Sequence, residues 1–181
     1  MRYPGGLTVR YRWAGSGQAA ALFGLTEAGG ELVDHGPLAW PEPDAVCRAE
    51  MRAEGPGGAW TSRFASAIYD EPQAVLWDAT GLLVMAYGFR TYGLDARNGS
   101  LRWSHRSGSP IVALFASSLL DHVLIQAEVE TFALDAAGTV TWRIAHGDVV
   151  VAAELVGGQL VLASYGGEQI SLDPRTGSAA G

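Results

Sequence analysis

The feature that most constrains the fold is an internal repeat of about 39 residues in the last three-fifths of the chain. Three copies align, and they cover residues 92–103, 132–142 and 170–178. Their turn glycines, each 39 residues from the next, are Gly99, Gly138 and Gly177. A period of this length is typical of a structural unit that cannot bury its apolar faces alone and therefore stacks on its neighbours.

Each copy of the repeat is interpreted as part of a four-stranded unit. A strand ends in Leu-Asp, and the Asp carboxylate can accept backbone N–H bonds in the following turn. The glycine supplies the positive φ that closes the hairpin, and the next strand carries Trp103 or Trp142. Upstream lie pairs of strand-like runs at 74–77 and 82–86, 111–115 and 123–127, and 149–155 and 160–164. Four strands in this length match a propeller blade.

The pattern aromatic-x-Leu-Asp-Ala-x-x-Gly-x-x-x-Trp at residues 92–103 resembles the repeat of the PQQ-like β-propellers. That family includes quinoprotein dehydrogenases and an outer-membrane assembly lipoprotein. The resemblance covers residues 73–181 and implies propeller blades. The second copy is one residue shorter in its turn, and the third stops before its tryptophan. The family's quinoprotein enzymes are secreted and have about eight blades. This chain has three clear blades, so we expect no quinone and no other cofactor.

The first 72 residues are less regular than the repeats. Alternation over residues 7–13 predicts a half-buried strand, and 19–26 and 31–34 are two further candidate strands. Residues 43–54 are predicted to form a short helix, because Pro41 and Pro43 open it, Asp44 lies near its start and Gly55 ends it. This segment is interpreted as a degenerate fourth blade, or as a ring-closing segment that supplies the strand missing after Gly177. The remaining alternative is an open arc of blades with exposed edges.

The predicted fold class is all-β and propeller-like. It comprises three clear four-stranded blades, a degenerate N-terminal blade and one short helix. The expected units are 1–72, a blade at 73–110, a blade at 111–148 and an incomplete blade at 149–181. We favour an imperfect or small propeller over the open arc.

Turns between antiparallel strands alternate between the two faces of a blade. Naming the strands a to d, the b–c turns and the connections from d to the next a share one face. Charged and aromatic residues predicted to project from it are Tyr87, Arg90, His105, Glu130, His146, Asp148, Tyr165 and Glu168. Such a set could bind a small polar ligand or a peptide. The structural alternative is that Arg90 pairs with Glu130 on a solvated rim.

No catalytic residue is predicted, because the sequence lacks the usual nucleophile, phosphate-loop and metalloprotease motifs. Cys47 is the only cysteine, which excludes an internal disulfide and a cysteine-built zinc site. The pair His105 and His146 falls short of a metal site, and none is expected. We expect Trp103 and Trp142 to pack between blades. We also expect Trp40 and Trp60 to be exposed, and His35 and His122 to lie on solvated turns.

The net charge of -7 and the lack of a basic cluster argue against nucleic-acid binding. The 12 basic residues of the chain are all arginine, which is typical of a GC-rich genome and suggests a bacterial source. The longest apolar run, 111–120, is too short to span a bilayer, and no convincing secretion signal is seen, so we expect a cytoplasmic protein with no membrane partner.

The leading functional hypothesis is a non-enzymatic recognition or scaffolding module that binds a protein or peptide through a propeller face. The alternative is a small-molecule (sugar or cofactor) binding protein, or a small enzyme, that uses the b–c and d–a loop face. A third hypothesis is self-association into a larger propeller. Fold alone does not decide among the three.

Overall fold

The computed structural model describes residues 1–15, 31–33 and 47–179. Its regular elements are strands, apart from two short 3₁₀ turns at Pro4–Gly6 and Asp78–Thr80. The strands are β1 (Thr8–Gly15), β2 (Glu31–Val33), β3 (Cys47–Gly55), β4 (Gly58–Ser66), β5 (Gln73–Trp77), β6 (Leu82–Tyr87), β7 (Arg90–Asp95), β8 (Leu101–Arg106), β9 (Ile111–Phe115), β10 (Val123–Ala127), β11 (Glu130–Leu134), β12 (Val140–Ala145), β13 (Val150–Val156), β14 (Gln159–Ser164) and β15 (Gln169–Leu172).

These strands form four sheets that follow one another along the chain. The N-terminal sheet has the order β1-β3-β4-β2, and the first two repeat sheets are β5-β6-β7-β8 and β9-β10-β11-β12. The last sheet, β13-β14-β15, has three strands within the described residues rather than the four of a complete blade. Neighbouring strands in the repeat sheets are antiparallel. The predicted all-β, propeller-like class is confirmed.

The predicted helix over residues 43–54 is wrong for the part that the structure describes, because Cys47–Gly55 is strand β3. Small and apolar side chains alternate with charged ones along it, and Cys47, Ala49, Met51 and Ala53 are all buried. This period of two belongs to a strand with one face in the core. Residues 43–46 lie outside the described residues.

The described N-terminal strands pair with each other rather than with the last repeat. β1 lies antiparallel to β3, and β2 lies parallel to β4. The predicted strand at 7–13 is therefore present as β1, and part of 31–34 is present as β2. The candidate strand at 19–26, together with His35 and Trp40, lies outside the described residues.

The conserved geometry of the three repeats is a turn held by an aspartate. The Oδ1 atoms of Asp95, Asp135 and Asp173 accept the backbone N–H two residues later at 3.0, 2.9 and 2.8 Å. Each turn closes on its glycine, whose φ is +73°, +81° or +72°. This left-handed conformation is strained for other residues, so the glycine requirement is physical. The predicted Asp-anchored turn is confirmed.

Successive sheets interlock through a tryptophan and a turn glycine. A Cβ added to Gly99, Gly138 or Gly177 would lie less than 3.0 Å from the ring of a tryptophan in the preceding sheet. The three tryptophans, in order, are Trp60, Trp103 and Trp142. Packing of Trp103 and Trp142 between sheets was predicted and is observed. Trp60, predicted to be exposed, is 2% exposed because it occupies the same position in the N-terminal sheet.

Within the described residues, three apolar cores lie between the four sheets. The first includes Met51 and Phe64 of the N-terminal sheet with Met85 of the next sheet. The second includes Val84 and Phe132, and the third combines residues of the two last sheets. Each sheet therefore buries its apolar surface against its chain neighbours, as in repeat proteins. No helix within the described residues is long and apolar enough to cross a membrane.

Candidate functional site

An open cleft lies between the N-terminal sheet and the first repeat sheet. Its volume is about 660 Å³. The turns β3–β4, β5–β6 and β7–β8 border it, and Pro56, Leu76 and Leu82 contribute apolar wall. Glycines in these turns leave the cleft unobstructed, since a Cβ at Gly57 would meet nothing within 4 Å. The cleft lies at the turns opposite to the face that the sequence favoured.

An aspartate and two arginines form a hydrogen-bonded polar group in this cleft. The Oδ1 atom of buried Asp95 accepts the backbone N–H and the Nε–H of Arg97 at 3.0 and 3.1 Å. Its Oδ2 atom accepts Nη2–H bonds from Arg97 at 2.9 Å and from Arg102 at 2.7 Å. The hydrogen bonds of Arg97, with those of Arg102, hold the pKa of the Asp95 carboxyl far below its usual value. The two arginine side chains remain 80% and 54% exposed.

The arginine pair is a departure from the repeat. In the second copy Asp135 holds the same turn by accepting the N–H groups of Ala137 and Thr139 at 2.9 and 2.8 Å. Ala137 stands at the repeat position of Arg97, and the position of Arg102 is also occupied by an uncharged residue, Thr141. The turn therefore folds without arginines. Arginine at both positions, where the second repeat has Ala137 and Thr141, is the signal in the sequence that could have identified this cleft.

On the opposite face, the b–c turns and the d–a connections lie side by side, joined by repeated backbone hydrogen bonds. The N–H of Ser107 donates to the carbonyl of Phe89 at 2.8 Å, and the N–H of His146 donates to that of Val129 at 2.8 Å. The structure brings five of the eight predicted residues together in two separate groups, one at each junction between repeat sheets.

The first group lies between the first two repeat sheets. Glu130 accepts the backbone N–H of Gly108 at 2.8 Å and lies 3.4 Å from the Nε atom of Arg143. Arg143 donates to the Nε2 atom of His105 at 3.1 Å and covers the ring of Phe132. Because arginine can only donate, Nε2 of His105 is the acceptor in this bond. Sequence reasoning did not include Arg143, which holds this group together.

The second group lines a cavity of about 370 Å³ beside the last sheet, formed in part by His146, Asp148 and Glu168. Both oxygens of Asp148 accept backbone N–H bonds at 2.7 Å, from Val149 and Gly166. These bonds, that of Gly166 foremost, lower the pKa of the Asp148 carboxyl. Among the described residues, no three His, Cys, Asp or Glu side chains are grouped to hold a metal ion.

A buried relay fixes the ring of His146. The amide nitrogen of Gln126 donates to the backbone carbonyls of Ala127 and Glu130, so its Oε1 atom is an acceptor. Thr131 donates its hydroxyl hydrogen to that oxygen at 2.5 Å, and the Nε2 atom of His146 lies 2.6 Å from the Thr131 oxygen. Nε2 of His146 therefore carries the hydrogen, and its neutral ring has Nδ1 as an acceptor.

The remaining three predicted residues are Tyr87, Arg90 and Tyr165. Tyr87 is buried in the core between the first two sheets, and Arg90 begins β7 opposite Tyr87 and Arg106. Tyr165 is 82% exposed. The histidine predicted on a solvated turn, His122, is instead buried, with its Nε2 atom 2.7 Å from the carbonyl oxygen of Pro174.

We expect the protein to lose stability as the pH falls from about 7 to about 5.5. Burial lowers the pKa of His146, and burial with the charge of Arg143 lowers that of His105, both from an ordinary 6.5. The unfolded chain therefore binds protons in this window before the folded chain does, which favours unfolding. Urea denaturation at each pH measures the effect. The double variant His105→Gln/His146→Gln should flatten the profile, and an unchanged slope would contradict the assignment.

No family model matches the sequence, and no curated protein matches it. Solved structures do match. BamB from Moraxella catarrhalis aligns with a TM-score of 0.52 at 19% identity, over 83% of this chain and 51% of that chain. The Pan2 WD40 domain of Neurospora crassa gives 0.51 at 18%, over 76% and 46%. The computationally designed Ika8 protein gives 0.51 at 13%, over 73% and 45%. The chain spans about half the length of these structures, and it has the fold of a β-propeller.

Proposed function

We propose that this chain is a non-enzymatic recognition module that binds a protein or peptide segment in the cleft between its first two sheets. The observation that carries the proposal is the cleft itself, about 660 Å³ in volume and open. It combines apolar walls with a few oriented polar groups, the combination that is typical of binding sites. Fold likeness supports a recognition role by analogy only.

The cleft is already ordered before a partner binds. Its polar group is held by four hydrogen bonds on the Asp95 carboxylate. Its walls are turns that connect paired strands of two packed sheets. A site that is already ordered loses little conformational entropy on binding, which leaves more of the contact energy for affinity.

Blocking the cleft tests the proposal. Gly57→Tyr adds a large side chain where a Cβ would meet nothing within 4 Å and where φ is not positive. Peptides selected from a random phage-displayed library on the wild-type protein should bind the variant at least about tenfold more weakly, a loss near 1.4 kcal/mol. Fluorescence anisotropy with labelled synthetic peptides measures the change.

The matched control is Gly147→Tyr, which makes the same substitution on the opposite face, again with nothing within 4 Å of a Cβ. It should leave peptide affinity unchanged. Failure to select any peptide, or equal binding by wild type and Gly57→Tyr, would overturn the proposal.

A second candidate function is small-molecule binding at the opposite face. The observation in its favour is the 370 Å³ cavity beside the last sheet. The ring of His146 offers an acceptor, and Asp148 and Glu168 add carboxylates, so a ligand there would be rich in hydrogen-bond donors. Gly147 lines that cavity, so Gly147→Tyr would abolish binding of such a ligand, whereas Gly57→Tyr would not. The same pair of variants thus separates the two functions.

We also infer that the repeats belong to the PQQ-like class of propeller repeats. The support is the joint occurrence of the Leu-Asp turn, the glycine of positive φ and the tryptophan that packs on the next glycine. These features describe how the sheets are built and imply no quinone chemistry for this chain.

A further inference from the structure

The strongest unexplained feature of the cleft is its pair of arginines. The second repeat forms the same Asp-held turn with Ala137 and Thr141 at the corresponding positions. The third repeat has Arg175 at the position of Arg97 and an uncharged residue, Ala180, at the position of Arg102. Two exposed guanidinium groups on one carboxylate are therefore not required by the turn, and they need another explanation.

The hydrogen bonding of Asp95 defines what the arginines can still do. Its two oxygens accept four hydrogen bonds from Arg97 and Arg102, which fills the usual acceptor capacity of a carboxylate. Each guanidinium group has five N–H donors and uses only part of them on Asp95. The cluster therefore presents further donors and no acceptor, and its net charge is positive, from two cations and one anion.

We infer that Arg97 and Arg102 anchor the bound segment through a carboxylate, either its C terminus or an Asp or Glu side chain. This inference rests on the proposed function of the cleft. A carboxylate accepts paired N–H bonds from guanidinium groups in a planar geometry. A single negative charge balances the cluster of Asp95, Arg97 and Arg102, whereas the charge of a phosphate dianion exceeds it.

Asp95 then acts as a positioning residue. Arginine side chains lose much rotamer freedom when they bind a ligand. Here the Nε and Nη2 atoms of Arg97 and the Nη2 atom of Arg102 are already bonded to one buried carboxylate. Part of that ordering has therefore taken place before any ligand arrives.

The test uses a double variant, Arg97→Ala/Arg102→Thr, which gives the turn the side chains of the second repeat and should fold as that repeat does. A peptide selected on the wild-type protein should bind it about ten- to hundredfold more weakly. Arg175→Ala is the matched control, because Arg175 is exposed at the same position of the third turn. It should bind the peptide as wild type does, and circular dichroism should show all three proteins folded.

The chemistry of the anchor is tested on the peptide. The selected peptide is resynthesised with a C-terminal amide, with Asn or Gln for its acidic residues, and with phosphoserine in place of an acidic residue. If the C-terminal amide lowers the affinity of the peptide, the anchor is its C terminus. If Asn or Gln lowers the affinity, the anchor is an acidic side chain. Tighter binding of the phosphopeptide than of the carboxylate form would overturn the assignment.

The failures of the two proposals are distinguishable. Peptides that bind wild type, lose affinity with Gly57→Tyr and keep it with Arg97→Ala/Arg102→Thr would overturn the carboxylate anchor and leave cleft recognition standing. Peptides that are indifferent to Gly57→Tyr would overturn both. The neutralised peptide should bind the wild-type protein and Arg97→Ala/Arg102→Thr equally well. This result would support a direct contact, because the change in the peptide and the change in the protein would then remove the same interaction.

Discussion

Trp103→Ala should lower the free energy of unfolding by about 3–5 kcal/mol, the usual loss for a buried tryptophan. The ring of Trp103 is buried between two sheets, with Gly93 of its own sheet and Gly138 of the next so close that neither position has room for a Cβ. Removing it leaves a void at the junction that the rigid backbone on either side cannot fill. Urea denaturation followed by circular dichroism measures the loss.

Tyr165→Ala is the control for Trp103→Ala, because it removes an aromatic side chain that is 82% exposed. It should change the free energy of unfolding by less than about 0.5 kcal/mol. Should Trp103→Ala prevent folding, Trp103→Phe gives a smaller loss that stays measurable. Equal effects of Trp103→Ala and Tyr165→Ala would show that the ring does not hold the sheets together.

Gly138→Ala should lower the free energy of unfolding by about 2–5 kcal/mol, for two separable reasons. With φ at +81°, any side chain is strained, and the added Cβ would lie less than 3.0 Å from the ring of Trp103. Denaturation midpoints in urea measure the combined effect.

Two further alanine variants separate the reasons. Gly167→Ala meets only the backbone strain, since φ is +86° and nothing lies within 4 Å of its Cβ, and it should cost about 1–2 kcal/mol. Gly93→Ala meets only the ring of Trp103, without a positive φ, and should cost about 1–3 kcal/mol. A Gly138→Ala loss no larger than that of Gly167→Ala would mean that the ring moves aside at no cost.

The repeat sheets could be predicted from the sequence because their signals are local. Alternating runs bounded by turn residues predict strands, and the recurring aspartate and glycine predict the hairpins, which the structure has at Asp95, Asp135 and Asp173. The N-terminal strand β3 could not be read in the same way. Its inward residues Ala49 and Ala53 are too small to stand out against the charged residues between them, and prolines nearby resemble a helix start.

The candidate site was harder to predict, because it depends on which turns meet across sheets. Pro56 and Arg102 are far apart in the sequence and line one cleft only because two sheets stack. On the other face, the sequence predicts that the b–c turns lie beside the d–a connections, as they do. It does not show what each carboxylate there contacts. Asp148 is occupied by backbone N–H groups, which no residue pattern reveals.

The interlock between sheets also has a direction. Trp60, Trp103 and Trp142 each dock on a glycine that comes later in the chain. During synthesis at the ribosome, each completed sheet thus presents its ring before the turn that will receive it has emerged. Assembly can then proceed from the N terminus onward, one sheet serving as the template for the next.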